Sequence, residues 1–231
     1  MEIGTVAWNW YDDPQNTQTD EFLKEVIRQI GKMNFNTIDL IGTPDSLDNF
    51  YTDKEIIKLK KYIKEADLKI FSFVSANPEL NHPDEEKRKQ VINYFQKSVE
   101  VAVKLGAKHI NSTVPYPAGA EIIRGGETAD KFAVKFPEDY SWKKDWLTFI
   151  NSLKKCVQIV TEAGLKMSLE CFPYTICSSP HSWLKLLKEI DSPNFGIQLD
   201  TAHLVNQSHD IITAIHMIGA KNIFNVHCKD S

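Results

Sequence analysis

Ala163-Gly164-Leu165-Lys166-Met167-Ser168-Leu169-Glu170 runs from the end of one element into a short apolar strand that stops on a carboxylate. The glycine marks a helix C-terminus, because its backbone reaches left-handed angles without a steric penalty. Similar phrases stand at Leu105-Gly106-Ala107-Lys108 and Ile218-Gly219-Ala220-Lys221, each ahead of another apolar run. One unit of helix, glycine and strand therefore repeats weakly along the chain.

Outward from that phrase, short apolar runs alternate with stretches of helical periodicity, the pattern of βαβ units around a parallel sheet. Strands are predicted at Ile3 to Ala7, Thr37 to Ile41, Lys69 to Val74, His109 to Thr113, Lys166 to Cys171, Gly196 to Leu199 and Ile223 to His227. Apolar stripes mark helices between them: Phe22, Val26 and Ile30; Ile56, Leu59 and Ile63; Val91, Phe95, Val99 and Ala102. Asp84, after Pro83, has the character of a helix N-cap. Val114 to Ser141 holds Pro115, Pro117, Gly119, Gly125, Gly126 and Pro137 and reads as a long loop after the fourth strand. Long loops in that position of a barrel often cover or shape a site, although a plain surface excursion has the same composition.

Alternating β and α elements build either an open doubly wound sheet or a closed eight-stranded barrel. The open sheet calls for a glycine-rich phosphate turn after an early strand. Here Trp8, Asn9 and Trp10 follow the first strand, and Gly42 stands alone after the second. A barrel instead gathers polar residues from the C-terminal ends of several strands at one mouth. The later strands do this, so the predicted fold is an α/β (β/α)8 barrel, with residues 1–231 as a single domain.

The chain has 231 residues, 42% of them hydrophobic and 25% charged, the make-up of a globular domain with a substantial core. No run of about 18 apolar residues occurs, and an apolar strand begins at once without a basic region and cleavage site. A cytoplasmic protein without a membrane partner is the expectation. Cys156, Cys171, Cys177 and Cys228 lie scattered without a CxxC pair, so neither a zinc knuckle nor a disulfide framework is indicated. A net charge of −4 gives no general attraction to nucleic acid or anionic lipid, and a small neutral or polar substrate is expected.

Glu170, Asp200 and His227 close three successive apolar strands. A carboxylate at the end of a buried strand is costly unless it is paired or metal-bound. A mixed Glu, Asp and His set suits one divalent ion such as manganese, magnesium, cobalt or zinc. A lone histidine at a strand end is more often structural; the coincidence of three ligand types carries the argument. His203, three residues after Asp200, is placed to face the same mouth as a substrate-binding group, a second metal ligand or a partner orienting the carboxylate. Lys229 and Asp230 either neutralise the site or form a solvated turn. Trp8, Trp10, Phe172 and Tyr174 are candidates for an apolar wall against the substrate, Trp8 and Phe172 foremost, with core or lid roles as the alternative.

The strand Ser168-Leu169-Glu170 and the runs Leu199-Asp200-Thr201-Ala202-His203 and Val226-His227-Cys228-Lys229-Asp230 resemble the sugar phosphate isomerase/epimerase family of the xylose isomerase-like TIM barrels. The likeness in arrangement extends over the chain, while the distinctive motifs occupy Glu170 to Asp230. It implies a single metal held by Glu170, Asp200 and His227 and a substrate contact from His203. The family completes its site with a glutamate on an eighth strand, and a closed barrel also needs that strand to pair its edges. The expectation is that a C-terminal βα unit of roughly 40 residues lies beyond Ser231.

The implied chemistry is proton abstraction next to a carbonyl of a sugar or sugar phosphate, through an enediolate, with Glu170 as catalytic residue. Ketose 3-epimerases of the family usually follow this glutamate with an asparagine, arginine and glutamate pattern. Here the run is Cys171-Phe172-Pro173-Tyr174-Thr175-Ile176, which keeps a metal-dependent dehydratase of an inositol-like or shikimate-like compound as the alternative. An endonuclease IV-like repair enzyme would need histidines at the ends of strands three and four. Those ends read Ser72-Phe73-Val74-Ser75-Ala76-Asn77 and Ile110-Asn111-Ser112-Thr113-Val114, with His82 and His109 away from them. A non-catalytic binding barrel is the remaining alternative. Barrels of this kind often form homo-oligomers, but no interface is legible.

Overall fold

The computed structural model describes residues 2–7, 20–76, 79–124 and 132–229. Contacts group the chain into two compact units, Met1–Asn77 with Tyr94–Asn111 and Ile159–Lys166, and Pro78–Asn93 with Ser112–Gln158 and Met167–Ser231. The predicted Trp8 and Trp10 lie outside the described residues.

In the first unit β1 (Gly4–Val6), β2 (Thr37–Gly42), β3 (Lys69–Ser75) and residues 109–111 of β4 (His109–Thr113) pair in that order, all parallel. The linking helices are α1 (Asp20–Lys32), the short α2 (Pro44–Asn49) and α3 (Asp53–Glu65). Thr43 and Ser46 cap the start of α2 reciprocally, an N-terminus with proline at its first position that the sequence reading passed over. Leu23, Ile27 and Ile30 of α1, Leu59 of α3, Ile38 and Leu40 of β2 and Phe73 of β3 are buried in this unit. Each such side chain contributes about 1.5–3 kcal/mol by leaving water. Phe22, read as part of the α1 stripe, is 39% exposed; the apolar stripe of the helix passes one residue further on, through Leu23.

Helix α4 (Glu85–Leu105) buries the expected stripe of Val91, Phe95, Val99 and Ala102, and α5 (Trp142–Glu162) is the other long helix. Asp84 caps α4, accepting from the Glu86 N–H at 2.8 Å. Gly106 and Gly164 follow the two helices with φ of 83° and 71°, the left-handed turn their position demanded.

The second unit holds residues 112–113 of β4 together with β7 (Lys166–Glu170), β8 (Phe195–Asp200) and β9 (Ile223–His227), of which β7 pairs with β8 and β8 with β9, both parallel. All seven predicted strands are present, most ends agreeing within one residue. The segment read as a loop contains two antiparallel strands, β5 (Glu121–Arg124) and β6 (Phe132–Lys135), paired from Glu121–Lys135 to Arg124–Phe132. Its glycines and prolines obscured two short β-prone runs. Helices α6 (Pro180–Ile190), α7 (Thr201–Asn206) and α8 (Ile211–Ile218) complete the unit, the last two both lying between β8 and β9. Among the described residues no helix is long and apolar enough to cross a membrane. The four cysteines are free thiols, all but Cys228 buried.

Asp145 of α5 anchors both ends of the segment that carries this strand pair. Only 5% exposed, it accepts hydrogen bonds from Asn81 Nδ2 and the Ala118 N–H at 2.8 Å and from the Tyr140 hydroxyl at 3.0 Å. Asn81 Nδ2 also donates to the Tyr116 carbonyl at 2.8 Å. Burial, aided by the bond to Asp145, pushes the Tyr140 phenol well above its usual range, keeping it a donor. Replacing Asp145 by alanine removes the acceptor of three donors, one buried and two half-buried, so Asp145→Ala is expected to lower stability by about 2 kcal/mol in denaturant unfolding.

Candidate metal and substrate site

The register of β7, β8 and β9 gathers the polar strand ends. Glu170 pairs with Gln198, and Asp200 with His227, while Asn225 lies opposite Gln198. Strand side chains alternate with a period of two, so Gln198 and Asp200 face one side and their partners face it with them. Asp200 then starts α7, and its helix brings His203 round to the same place.

The atoms converge on two carboxylate oxygens, Glu170 Oε1 and Asp200 Oδ2. His203 Nε2 is 3.7 Å from the first and 3.8 Å from the second. His227 Nδ1 is 3.2 Å from the first and 4.0 Å from the second. Lys229 Nζ lies 2.7 Å from Asp200 Oδ2 and 3.8 Å from Glu170 Oε1. Ligand atoms of Glu170, Asp200 and His203 all lie within 4.8 Å of one another, close enough for one ion. His203 Nε2 is buried and has no hydrogen-bond partner among the described residues. A set of two carboxylates and two imidazoles, one with an unanswered ring nitrogen, fits a divalent ion of the manganese to zinc range.

A chain of amides orients His227. The Val226 N–H donates to Asn225 Oδ1 at 2.8 Å, which turns Asn225 Nδ2 toward Gln198 Oε1 at 3.1 Å. Gln198 Nε2 is thereby left facing His227 Nδ1 at 3.0 Å. The same Nδ1 lies 3.2 Å from Glu170 Oε1, so one ring nitrogen faces both an amide donor and a carboxylate acceptor, and either neutral tautomer finds a partner there. The signal in sequence was a polar residue two positions before each candidate ligand, Gln198 before Asp200 and Asn225 before His227, facing inward by strand alternation.

Asp200 has two tasks. Its Oδ1 caps α7 by accepting from the His203 N–H at 3.1 Å, and its Oδ2 faces the cluster. Burial pushes its pKa up, but the Lys229 ammonium and the His203 N–H outweigh that and hold it below the usual carboxylate range. Burial lowers the pKa of His203 despite the nearby carboxylates, which favours the neutral ring that metal or substrate binding needs. Thr201 joins β9 to α7: its Oγ1 accepts from the Lys229 N–H at 3.0 Å, and its hydroxyl lies 3.1 Å from the Lys229 carbonyl.

Glu170, Asp200, His203 and His227 thus meet where the sequence pointed. Phe172 is half-buried with its ring 4.4 Å from that of His203, centroid to centroid, beside the cluster. Tyr174 is exposed and carries a φ of 67°. Gln198, Asn225 and Thr201 were not anticipated.

Residues 27–231 match the family model described as xylose isomerase-like TIM barrel. A D-psicose 3-epimerase from Ruminiclostridium cellulolyticum is 21% identical over 202 residues, 85% of this chain and 63% of that protein. The chain therefore spans under two thirds of that curated relative. Among solved structures, a D-psicose 3-epimerase in the presence of D-fructose aligns over 100% of this chain and 73% of its own, with a TM-score of 0.79 at 14% identity. The 3-keto-D-glucoside 4-epimerase of E. coli aligns over 100% and 79%, with a TM-score of 0.75 at 19% identity. At such identities the structural likeness is one of fold. With the family model matching most of its length, the chain belongs to the xylose isomerase-like TIM barrel family.

Proposed function

We propose that this chain belongs to a divalent-metal-dependent isomerase or epimerase acting on a sugar or sugar phosphate. One observation carries the reading: two carboxylates and two imidazoles from the ends of β7, β8 and β9 and the start of α7 face one small volume, with His203 Nε2 unanswered in it. The similarity to D-psicose 3-epimerase and to a 3-keto-D-glucoside 4-epimerase supports a sugar as the substrate.

Glu170, Asp200 and His227 would hold the ion, and His203 is a fourth donor within reach. A bound divalent ion would act there as a Lewis acid toward neighbouring carbonyl and hydroxyl oxygens of a ketose. Glu170 takes the proton from the carbon beside the carbonyl, giving an enediolate, and proton return to the other face completes epimerisation. His203 donates a hydrogen bond to a substrate oxygen, with Phe172 setting the plane of its ring and packing against the carbon chain. The Gln198–Asn225 chain holds the ring of His227 in place.

Glu170→Gln keeps the shape and removes the base. It is expected to lower kcat for ketose epimerisation on the order of 1,000-fold while the variant still melts cooperatively. Wash-in of solvent deuterium at the epimerised carbon is the direct readout, and undiminished exchange in the variant would reject the assignment. Loss of water from the substrate in the same assay would identify a dehydratase instead. Dialysis against a chelator should abolish activity, and manganese should restore it with one ion bound per chain; full activity in the stripped protein would contradict the metal requirement.

A further inference from the structure

The side chains of Glu170 and Asp200 are 8% and 0% exposed, and their facing oxygens belong to one cluster. Two anions that close repel in a poorly solvated site unless a cation answers them. In this structure the answering cation is an ammonium: Lys229 Nζ stands 2.7 Å from Asp200 Oδ2 and 3.8 Å from Glu170 Oε1. Those are the same two oxygens that face His203 Nε2 and His227 Nδ1. A divalent ion bound at about 2.0–2.2 Å from a carboxylate oxygen and an ammonium on that same oxygen repel one another and draw on the same lone pairs.

The lysine is built to yield. Its backbone is clipped at both polar groups to Thr201 Oγ1, by a 3.0 Å bond from its N–H and a 3.1 Å approach at its carbonyl. Its side chain, by contrast, is 45% exposed, so it reaches the buried oxygens from the solvent side on a flexible stem. The root is fixed and the head is free to withdraw.

We propose that Lys229 is a built-in counter-cation for Glu170 and Asp200 that competes with the divalent metal and thereby sets the affinity of the site. The inference rests on the metal-dependent reading of the preceding subsection and adds a role for a residue that neither ligates the ion nor takes the proton. While no metal is bound, the ammonium neutralises the carboxylate pair; on loading it retracts along its stem. The site then discriminates against weakly bound cations, because any ion that enters must first displace a tethered charge.

The test is Lys229→Met in the full chain, stripped of metal and titrated with manganese by calorimetry, with melting curves recorded with and without the ion. Manganese is expected to bind roughly tenfold more tightly than in the unsubstituted protein. The stripped variant should melt lower, and its gain in melting temperature on adding manganese should be larger. Lys229→Arg, which keeps the charge, should bind manganese no more tightly than the unsubstituted protein, and Lys229→Gln replaces the methionine variant if that one fails to fold. Equal or weaker manganese binding in a folded, uncharged variant would overturn the proposal, since a merely structural lysine predicts that result. Absence of manganese binding in the unsubstituted protein and every variant would overturn the metal reading itself, and this inference with it.

Discussion

Two carboxylates buried at the ends of adjacent parallel strands impose the central constraint on this molecule. Glu170 and Asp200 have almost no access to water, and water is what ordinarily stabilises such charges. Everything around them answers that problem: a lysine reaching in from solvent, a helix N–H spent on Asp200, two imidazoles within 4.0 Å, and room for an ion. A hydrophobic replacement would make a more stable strand end. Retaining the carboxylates in so costly a place is the physical basis for reading the cluster as a working site.

The parallel sheet makes the arrangement possible. Parallel strands all end in the same direction, and their pairing sets Glu170 beside Gln198 and Asp200 beside His227. Side-chain alternation then keeps Gln198 and Asn225 on the face of Asp200 and His227, where their amides form a directed chain ending at His227. The chain starts from a backbone N–H, whose direction is unambiguous, and so fixes the orientation of both amides beside His227. The short helix α7 contributes the last element, because one carboxylate both caps it and turns its His203 toward the cluster.

The site is therefore layered by cost. Glu170 and Asp200 are held by strand register and cannot move without breaking the sheet. His203 and Phe172 lie against each other beside them, in half-buried positions that suit contact with a ligand. Lys229 is the most exposed charge near the carboxylates, its backbone clipped to Thr201 and its ammonium reaching Asp200 from the solvent side. Away from the cluster, Asp145 shows a different use of a buried carboxylate: all its partners are neutral donors, and its role is to tie a long segment to a helix.

Seven strands, their parallel alternation with helices, the glycine helix ends and the gathering of Glu170, Asp200 and His227 at strand ends were all legible in the sequence. These follow from local periodicity and from residue types at fixed positions in a repeating unit, which near neighbours in the chain control. The strand pair within the long segment, the exposure of Phe22 and the anchoring by Asp145 were not, because turn-rich composition hides short strands and a helical stripe is blurred by one residue. Tertiary structure alone decided that Gln198 and Asn225 orient His227, that Thr201 clips Lys229, and that a lysine answers the carboxylates. Those contacts join residues about 27 to 59 positions apart, and the register that brings them together is set by packing.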